Sequence, residues 1–470
     1  MATNVDFSGR FLMIGCGSIG RAVLPLLLRH IVDDPRRIVI VTADERGRDA
    51  AEKYGIDYRV TPLRRDNYRD VISPLLNEGD FLLNLSVEVE SLSLVRLARD
   101  KGALYLDTCI EPWEGGYTDP AKSASERSNY GLRHAALELG RALGPGPTAV
   151  VAQGANPGLV SQLVKEALLR MAAETGLERG KPSSQAEWAA LLRDLGIKAV
   201  HIAERDTQVA AGHPKKPGEF VNTWSIDGFI GEGCQPAELG WGTHEKEMPA
   251  EGHRHGYGSD AAIYLARPGA STRVRSWTPL AGSYHGFLIT HNEAISIADY
   301  FTSRDGTEVG WRPTVHYAYH PADDAVLSVH ELAGRNWEEQ PEKRLMMDEI
   351  TSGIDELGVL LMGNPKGVFW YGSRLSIEEA RELAPFNSAT SLQVAAGVVG
   401  GMAAAIVRPA MGLVEADQLD HDHVMDLARP YLGPVVGIWG DWNPLHGRGR
   451  LFPEDLDPFD PWQFKNILVR

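Results

Sequence analysis

A glycine-rich motif directly after a short apolar segment constrains the fold of this chain more than any other feature. Gly15, Gly17 and Gly20 follow the apolar residues 11–14 and open a stretch with leucines at helical spacing. This order of strand, tight turn and helix is the fingerprint of a dinucleotide-binding fold, because the glycines let the backbone approach a pyrophosphate. The helix N-terminus adds free N–H groups. We therefore predict that Gly15, Gly17, Ser18, Ile19 and Gly20 bind a dinucleotide cofactor, with a ligand-free glycine turn as the alternative.

The alternation of short apolar runs and helical segments continues to about residue 152 and predicts the fold class. Strands separated by helices are typical of βαβ units, so we predict an α/β fold with a Rossmann-type, doubly wound parallel sheet. Strands are predicted at residues 10–15, 37–41, 57–60, 80–85, 103–107 and 148–152. Helices are predicted at residues 19–31, 49–54, 68–76 and 91–101.

The sequence changes character after Pro157 and predicts a second α/β domain built on a mixed sheet. Helices come first, at residues 159–175 and 185–195, and Ser183 or Ser184 is a candidate N-cap for the latter. Aromatic and β-branched residues then favour strands up to about residue 371. The clearest of these strands are predicted at residues 261–265, 272–277, 286–290 and 314–319. A helix follows at residues 388–407, and its alanines and glycines suit close packing.

The composition excludes several classes of protein. The chain has 63 acidic and 47 basic residues, a net charge of −16, which argues against a nucleic-acid-binding protein. Three cysteines cannot form a disulfide framework. We expect a cytoplasmic protein without membrane contact, because the most apolar stretch, residues 395–407, is too short to cross a bilayer and no signal peptide pattern is present. The negative charge suits either a soluble surface or a cationic substrate, and composition leaves both open.

Asp44 follows the second predicted strand, where dinucleotide-binding folds carry an acid for the ribose hydroxyls. It lies slightly late for that role, so capping of the next helix is an open alternative. Arg46 and Arg48 lie nearby and suit a 2′-phosphate. The segment therefore favours NAD over NADP without deciding between them.

The segment Gly154-Ala-Asn-Pro-Gly follows another predicted strand, at the edge where ligands bind in open α/β sheets. Asn156 is therefore a candidate site residue. The alternative is a helix-entry turn, with Asn156 as the N-cap and Pro157 as the first helical residue.

Carboxylates and a tryptophan recur among glycines in the strand-rich segment, at Glu204, Trp224, Glu232 and Glu238. Carboxylates bind ammonium groups, and the face of an indole ring binds an organic cation. Taken singly, each carboxylate could instead be a surface charge and the tryptophan a core residue.

Histidines are candidates for proton transfer and for metal binding. His291 lies two residues before Glu293, and a histidine beside a carboxylate can transfer protons near neutral pH, with a structural hydrogen-bonded pair as the alternative. His316 and His320 share one face of a predicted strand, but no further ligand completes a site. We therefore predict no bound metal.

Together these motifs resemble the bacterial homospermidine synthase family, within the wider saccharopine dehydrogenase-like group. The resemblance runs along almost the whole chain. Besides the glycine motif, it is carried by residues 84–88 (NLSVE), 106–108 (LDT), 111–113 (EPW), 154–158 (GANPG), 201–207 (HIAERDT), 221–225 (VNTWS), 232–233 (EG), 235–242 (QPAELGWG), 273–279 (RVRSWTP), 290–299 (THNEAISIAD), 316–321 (HYAYHP) and 434–437 (PVVG).

The resemblance implies an NAD-dependent aminobutyl transfer. NAD takes a hydride from the carbon beside an amine of putrescine, a second putrescine replaces ammonia at the resulting imine, and the hydride returns to give homospermidine. Spermidine can serve as the donor, with diaminopropane leaving. The expected partners are therefore putrescine, spermidine and homospermidine, and the family implies a homodimer.

The resemblance and the residue types together assign roles within the site. A buried site for a dication must supply carboxylates to offset desolvation. The expected catalytic residues are Asn156, Glu204, Trp224 and His291, with either Glu204 or His291 as proton acceptor. The expected substrate-binding residues are Glu88, Glu111, Glu232 and Glu293. Besides the glycine motif, the expected cofactor-binding residues are Asp44, Ser86, Thr108 and Asn156.

The expected domains are an NAD-binding domain of residues 1–155 plus about 388–430, a substrate-binding and dimerisation domain of residues 156–387, and a C-terminal segment of residues 431–470. Two other functions stay open at this point. One is a saccharopine- or carboxynorspermidine-type NAD(P)-dependent oxidoreductase, which needs basic residues for substrate carboxylates. The other is a non-enzymatic NAD-binding sensor.

Overall fold

Residues 11–151 build a parallel sheet in the computed structural model, which describes residues 5–469. The strands are β1 (Phe11–Ile14), β2 (Ile38–Thr42), β3 (Asp57–Val60), β4 (Phe81–Asn84), β5 (Leu104–Asp107) and β6 (Ala149–Val151). The helices are α1 (Ser18–His30), α2 (Arg48–Tyr54), α3 (Tyr68–Ile72), α4 (Ser91–Lys101) and α5 (Asn129–Leu143). The strand order 3-2-1-4-5-6, with every pair parallel, is that of a dinucleotide-binding fold.

Helices cover both faces of this sheet because its inner strands are apolar at most positions and successive side chains alternate between faces. Phe11 and Met13 of β1 belong to the core that contains α1, whereas Leu12 and Ile14 belong to a second core that contains Leu94 of α4. The predicted doubly wound sheet is therefore confirmed.

Residues 159–383 build a larger mixed sheet with its own helices. The helices are α6 (Leu159–Thr175), α7 (Gln185–Asp194), α8 (Ile226–Cys234), α9 (Asn292–Tyr300), α10 (Asp323–Gly334) and α11 (Ile377–Leu383). The strands are β7 (Ala199–Asp206), β8 (Glu219–Asn222), β9 (Pro236–Gly240), β10 (Gly252–Arg254), β11 (Ala262–Pro268), β12 (Arg273–Thr278), β13 (Gly282–Phe287), β14 (Ser303–Asp305), β15 (Glu308–Trp311), β16 (Thr314–His320), β17 (Glu342–Leu345), β18 (Ile354–Met362) and β19 (Val368–Ser376). Of these strands, β8 with β17 and β14 with β15 form separate two-stranded sheets, and the others belong to the large mixed sheet. In the centre of the large sheet, β7 pairs in parallel with β16 and antiparallel with β18, as a mixed sheet requires.

The remaining elements return to the first sheet and then add to the second. They are α12 (Ala389–Val407), β20 (Leu413–Glu415), α13 (His421–Ala428), β21 (Val435–Gly440), α14 (Phe464–Ile467) and β22 (Leu468–Val469). β20 extends the parallel sheet beside β6, whereas β21 pairs with β19 and β22 pairs with β12.

Helix α12 is the apolar helix that the sequence predicts, and its glycines set how closely it packs. A Cβ added at Gly397 would lie 2.0 Å from the Gly154 carbonyl oxygen, so this helix lies directly against the loop after β6. By length and composition alone α12 could cross a membrane, but 83% of its most apolar window is buried inside the protein. In this fold it is a central helix.

Some predicted elements are wrong in extent or in type. The strand expected at residues 286–290 is β13, which ends at Phe287 because it pairs with β12 across a turn at Gly282. The helix expected at residues 68–76 ends at Ile72. Helices α8, α9 and α10 lie in the segment predicted as mostly strand. In α9 residues 292–298 are all buried. Asn292, Ser296 and Asp299 nevertheless recur at helical spacing, so the period is present in the sequence and was overlooked in a helix of only nine residues. The predicted N-cap Ser184 is confirmed, because its Oγ accepts the Glu187 N–H.

Candidate active site

A cavity of about 1210 Å³ lies between the carboxyl ends of the parallel strands and the second domain. Its walls come from the loops after β1, β2, β3, β4, β5 and β6 on one side, and from β7, α8, β16, β17 and the start of α12 on the other. Fourteen of the predicted site residues line it, namely Gly15, Gly17, Ser18, Ile19, Asp44, Ser86, Glu88, Thr108, Glu111, Asn156, Glu204, Trp224, Glu232 and His291. Gly20 and Glu293 do not line it.

The glycine motif forms a cradle at the N-terminus of α1. Gly15 has a φ of 86°, and a Cβ there would lie 2.8 Å from the Leu85 carbonyl oxygen, so the tight turn requires glycine. At Gly17 an added Cβ would meet nothing within 4 Å, and this residue faces the cavity. The buried Oγ of Ser18 has no hydrogen-bond partner among the described residues. Free donors beside open space fit a pyrophosphate.

Gly20 lies in the first turn of α1 and packs against the cradle. A Cβ at this position would lie 2.8 Å from the Gly15 carbonyl oxygen, so glycine lets α1 close against the turn. Its contribution to cofactor binding is therefore the shape of the loop.

Asp44 lines the cavity with its carboxylate engaged by Arg46. The carboxylate accepts the Arg46 backbone N–H at 2.9 Å and the Arg46 Nε–H at 2.7 Å, and the bond to the Arg46 side chain lowers the pKa of Asp44. Helix α2 starts at Arg48 with Gly47 as its N-cap. The helix-capping interpretation of Asp44 is therefore wrong, and its ribose role stays a prediction.

The loops after β4 and β5 bring Ser86 and Thr108 to the cavity wall. Next to Thr108, the buried Asp107 carboxylate accepts the Ala152 backbone N–H and the Tyr105 hydroxyl, each at 2.7 Å. Burial raises the pKa of Asp107 to about 7. This carboxyl group ties the end of β5 to the segment that follows β6.

Asn156 lies on that segment and points into the second domain. Its amide donates to Glu204 Oε2 at 2.7 Å and to the Tyr317 hydroxyl at 2.6 Å. Helix α6 begins at Leu159 with Gly158 as its N-cap, so the interpretation of Asn156 as a helix cap is wrong. Asn156 instead connects the cofactor half of the cavity to the carboxylate half.

Glu204 lies on β7 with only 2% of its surface exposed. Its Oε2 also accepts the Tyr317 hydroxyl, so one carboxylate oxygen receives both neighbours. Burial raises the pKa of Glu204, and the Tyr317 hydrogen bond opposes the increase. A carboxyl group with a raised pKa exchanges a proton close to neutral pH and can also hold an ammonium group.

Trp224 is half-buried beside the same group of residues. Its Nε1–H donates to the Tyr319 hydroxyl at 2.9 Å, and its ring lies 5.6 Å from the ring of Phe229, centroid to centroid. Tyr319 in turn stacks on Tyr317 with ring centroids 5.0 Å apart. These contacts fix the orientation of an indole ring on the cavity wall.

His291 is held between two carboxylates. Its Nε2 lies 2.9 Å from Glu232 Oε2, and its Nδ1 lies 3.0 Å from Glu293 Oε1. Burial opposes a charge on the ring, but the two carboxylates outweigh it and raise the pKa of His291 well above its usual range. Glu293 therefore contacts His291 and is itself 1% exposed, away from the cavity wall.

Glu111 and Glu88 line a further part of the wall. Glu111 Oε2 accepts the Glu88 backbone N–H at 3.1 Å, and burial raises the pKa of Glu111 to about 7. Glu88 itself has a φ of 61° and an exposed side chain. Glu238, noted in the sequence for its charge, lies elsewhere and accepts the backbone N–H groups of Asn129 and Tyr130 at the start of α5.

Two site residues were missed in the sequence, Tyr317 and Tyr319. They alternate along β16 with His316 and His320, the histidines considered in the sequence as metal ligands. His316 packs against His201 on the opposite face of the sheet, with ring centroids 4.0 Å apart. Strand alternation alone shows that tyrosines and histidines occupy opposite faces, but not which face lines the cavity. Within residues 5–469, no group of three or more His, Cys, Asp or Glu side chains is arranged to hold a metal ion.

Comparison with known proteins identifies the family. Two sequence models match, the saccharopine dehydrogenase NADP binding domain over residues 11–150 and the saccharopine dehydrogenase C-terminal domain over residues 154–441. Homospermidine synthase of Blastochloris viridis is 52% identical over 466 residues, which are 98% of either chain. The chain belongs to the homospermidine synthase family.

Other members of the homospermidine synthase family agree with this assignment. Homospermidine synthase of Mesorhizobium japonicum is 49% identical over 472 residues, covering 99% of this chain and 97% of that one. The crystal structure of homospermidine synthase from Legionella pneumophila in complex with NAD matches with a TM-score of 0.93 at 47% identity, over 100% of this chain and 99% of that chain. The predicted family and fold class are confirmed, and the chain is an enzyme of this class.

Proposed function

We propose that this enzyme makes homospermidine by transferring the aminobutyl group of putrescine, or of spermidine, to a second putrescine, with NAD as a resident cofactor. Two putrescine molecules give one homospermidine and one ammonia, and diaminopropane leaves instead when spermidine is the donor. No net oxidation takes place. One observation carries the proposal: buried carboxylates and an oriented tryptophan share a single cavity with a pyrophosphate cradle.

The residues of the cradle fit NAD. Gly15, Gly17 and Ser18 would receive the pyrophosphate, and Asp44 would receive the adenosine ribose. Asp44 is the acid that follows β2, the position that binds the ribose hydroxyls in NAD-binding folds, and this supports NAD over NADP. NAD, when bound, supplies a reversible acceptor for the hydride on the carbon beside a substrate amine.

The carboxylates of the wall bind the ammonium groups of the substrate. Putrescine carries two positive charges, and each must regain the solvation that it loses on entering the cavity. Glu88, Glu111 and Glu232 are the three wall carboxylates proposed for this role. Glu293 acts indirectly, because it shares His291 with Glu232.

Trp224 stabilises the positive charge that develops on the substrate when a carbon–nitrogen single bond becomes an iminium. The indole face attracts a cation through its quadrupole, and this attraction is strongest away from water. The hydrogen bond to Tyr319 holds the ring in place.

Glu204 is the proposed proton acceptor for the substrate amine. His291 is unsuited to this role because Glu232 and Glu293 keep its ring protonated. A protonated His291 can instead donate hydrogen bonds to both carboxylates and orient Glu232. Asn156 holds the Glu204 carboxylate beside the cofactor half of the cavity.

One incubation tests the proposal. Purified protein with NAD and putrescine, without an external electron acceptor, should release homospermidine and ammonia in equal amounts while the NADH absorbance stays flat. Steady NADH accumulation would indicate a dehydrogenase, and the absence of any product would contradict the assignment of putrescine.

The variant Glu204→Gln tests the role of the carboxylate. We expect it to raise the putrescine KM at least about tenfold and to lower kcat, because the amide neither pairs with an ammonium group nor accepts its proton. Glu245→Gln removes another carboxyl group with a buried side chain, one that does not line the cavity, and should leave both parameters near the wild-type values. A normal putrescine dependence in Glu204→Gln would exclude this contact.

Three expectations accompany the proposed function: the domain boundaries given above, a homodimer assembled through the second domain, and a cytoplasmic location. The pairing of β20 with β6 and of β21 with β19 supports the boundaries. Size-exclusion chromatography with light scattering tests the homodimer.

A further inference from the structure

Two buried acids neighbour Glu204 without lining the cavity themselves. Asp206 is the next residue but one along β7 and therefore shares the face of Glu204, and Asp355 on β18 pairs with Asp206 across the ladder. Both acids are 0% exposed. Thr390, which lines the cavity from the first turn of α12, contacts both acids. Its Oγ1 lies 2.5 Å from Asp355 Oδ2 and 3.4 Å from Asp206 Oδ2.

The two acids differ sharply in the donors that surround them. Asp206 Oδ1 accepts the backbone and side-chain N–H groups of Gln208 at 2.8 and 3.1 Å, and Asp206 Oδ2 accepts the Thr223 hydroxyl at 2.8 Å. Asp355 Oδ1 has no hydrogen-bond partner among residues 5–469. Several donors stabilise a carboxylate anion, whereas a buried charged oxygen without any donor is costly.

We propose that Asp206 and Asp355 are positioning residues that share one proton, with the charge on Asp206 and the proton on Asp355, and that the Asp206 anion sets the pH at which Glu204 ionises. The proposal rests on the proposed function, in which Glu204 must be ionised to take a proton from the substrate amine. Thr390 joins the two acids to the cavity wall.

Other groups also face this cluster, and none of them replaces Asp206 as the neighbouring anion. Around Glu204 they are Tyr317 and Tyr319 of β16, Tyr284 of β13, and the imidazole of His291. The charge of Arg205 lowers the pKa of Asp206, and the charge of Glu356 raises the pKa of Asp355. Burial raises the pKa of all three acids, and the charge on Asp206 adds to the increase at Glu204.

The arrangement makes opposite predictions for the two acids. In Asp206→Asn the neighbouring anion is gone, so Glu204 should ionise more easily. In Asp355→Asn the amide has the shape and the neutral charge of the protonated acid, so Glu204 should ionise as in the wild type.

The experiment measures kcat/KM for putrescine against pH in the wild type and in both variants. We expect the acid limb to move down by about one pH unit in Asp206→Asn, because a unit charge several ångströms away in a buried site changes a pKa by about that amount. The limb should stay in place in Asp355→Asn. Glu356→Gln is a matched control, because it removes a buried carboxylate from the opposite face of β18 and should not move the limb.

Two further readouts keep the proposal testable if a variant loses activity. NAD affinity, measured by fluorescence titration, shows whether each variant folds around its cofactor. The infrared spectrum of the wild type minus that of the variant, recorded at neutral pH, should show a protonated carboxyl band for Asp355→Asn and none for Glu356→Gln. A shift of the acid limb in Asp355→Asn but not in Asp206→Asn would overturn the assignment of charge and proton, and no shift in either variant would overturn the proposal. Failure of the proposed function looks different, because the wild type would then release no homospermidine at any pH.

Discussion

The chemistry of single residues in the cavity depends on neighbours that are distant in sequence. Trp224 is oriented by a tyrosine 95 residues away, and Glu204 receives donors from 48 residues before it and 113 residues after it. Replacing the neighbour should therefore affect the reaction, as replacing the residue itself does.

Replacing Trp224 separates cofactor binding from chemistry. We expect Trp224→Ala to keep the NAD affinity of the wild type and to lower kcat at least about tenfold, because a desolvated cation–π contact is worth about 2 kcal/mol or more. Tyr319→Phe should lower kcat by a smaller factor, since the indole ring stays but loses its hydrogen bond. Trp311→Phe serves as the control, because that indole donates to the Ile197 carbonyl oxygen outside the cavity. Unchanged kcat in Trp224→Ala would remove the ring from the mechanism.

Asp107 should give the folded enzyme a measurable pH dependence. Burial raises its pKa from 3.8 to about 7, so the folded state keeps a proton that the unfolded chain releases in this interval. The contribution of this group is fully present below about pH 4 and is lost as the pH rises through about 7. Asp107→Asn cannot ionise, so its unfolding free energy should improve relative to the wild type by up to about 1.4 kcal/mol per pH unit between these limits.

Urea unfolding at several pH values from 5 to 8 measures this difference. Asp66→Asn, which replaces an exposed acid, controls for the change in net charge. A constant difference between Asp107→Asn and the wild type over this range would show that Asp107 is ionised in the folded protein.

At the scale of elements, two glycines of the motif have different reasons to be glycine, Gly17 in the turn after β1 and Gly20 in the first turn of α1. A Cβ at Gly17 would enter open space, whereas a Cβ at Gly20 would lie 2.8 Å from a backbone oxygen. Gly17→Ala should therefore keep the melting temperature and weaken NAD binding by about tenfold or more, because the methyl group occupies space beside the pyrophosphate.

Gly20→Ala should show the reverse order of effects and lower the melting temperature by several degrees, since backbone atoms must move. Differential scanning fluorimetry without NAD, together with NAD titration, distinguishes the two. Equal loss of stability in both variants would contradict this division between a binding glycine and a packing glycine.

Helices and strands were predictable where the spacing of apolar residues along the sequence was clear. The strands and helices of the first sheet follow from apolar runs and glycine turns, and α6 and α12 follow from their length. Helix α9 was missed although Asn292, Ser296 and Asp299 recur at helical spacing, because it has only nine residues and lies between segments rich in strand patterns. Its start nevertheless matters for the site, since His291 is its N-cap residue and Glu293 lies in its first turn.

At the scale of the whole molecule, the net charge of −16 and the carboxylates of the cavity act in the same direction on a cationic substrate. We expect kcat/KM for putrescine to fall severalfold between low and physiological ionic strength, because salt screens charges beyond about 8–10 Å. NAD carries negative charge, so the affinity of the enzyme for NAD should not fall as the ionic strength rises. A putrescine kcat/KM that does not change with salt would limit the role of the acidic surface to solubility.

The sequence by itself determined the fold class, the family and a set of site residues of which all but Gly20 and Glu293 line the cavity. It could do so because periodicity and glycine turns are local properties, and because long motifs carry the family resemblance. The tertiary structure alone decided which side chains meet. In the structure Glu293 contacts His291, Glu238 accepts a backbone N–H at the start of α5, and the Tyr317 hydroxyl donates to Glu204.

The physical reason is that burial and neighbouring charges decide the protonation of each group, and both depend on contacts across the two sheets. His291 and Glu204 were equal candidates for the proton acceptor in the sequence. Two carboxylates raise the pKa of one, and burial raises the pKa of the other, so the first keeps its proton while the second can exchange one. No pattern along the chain contains that difference.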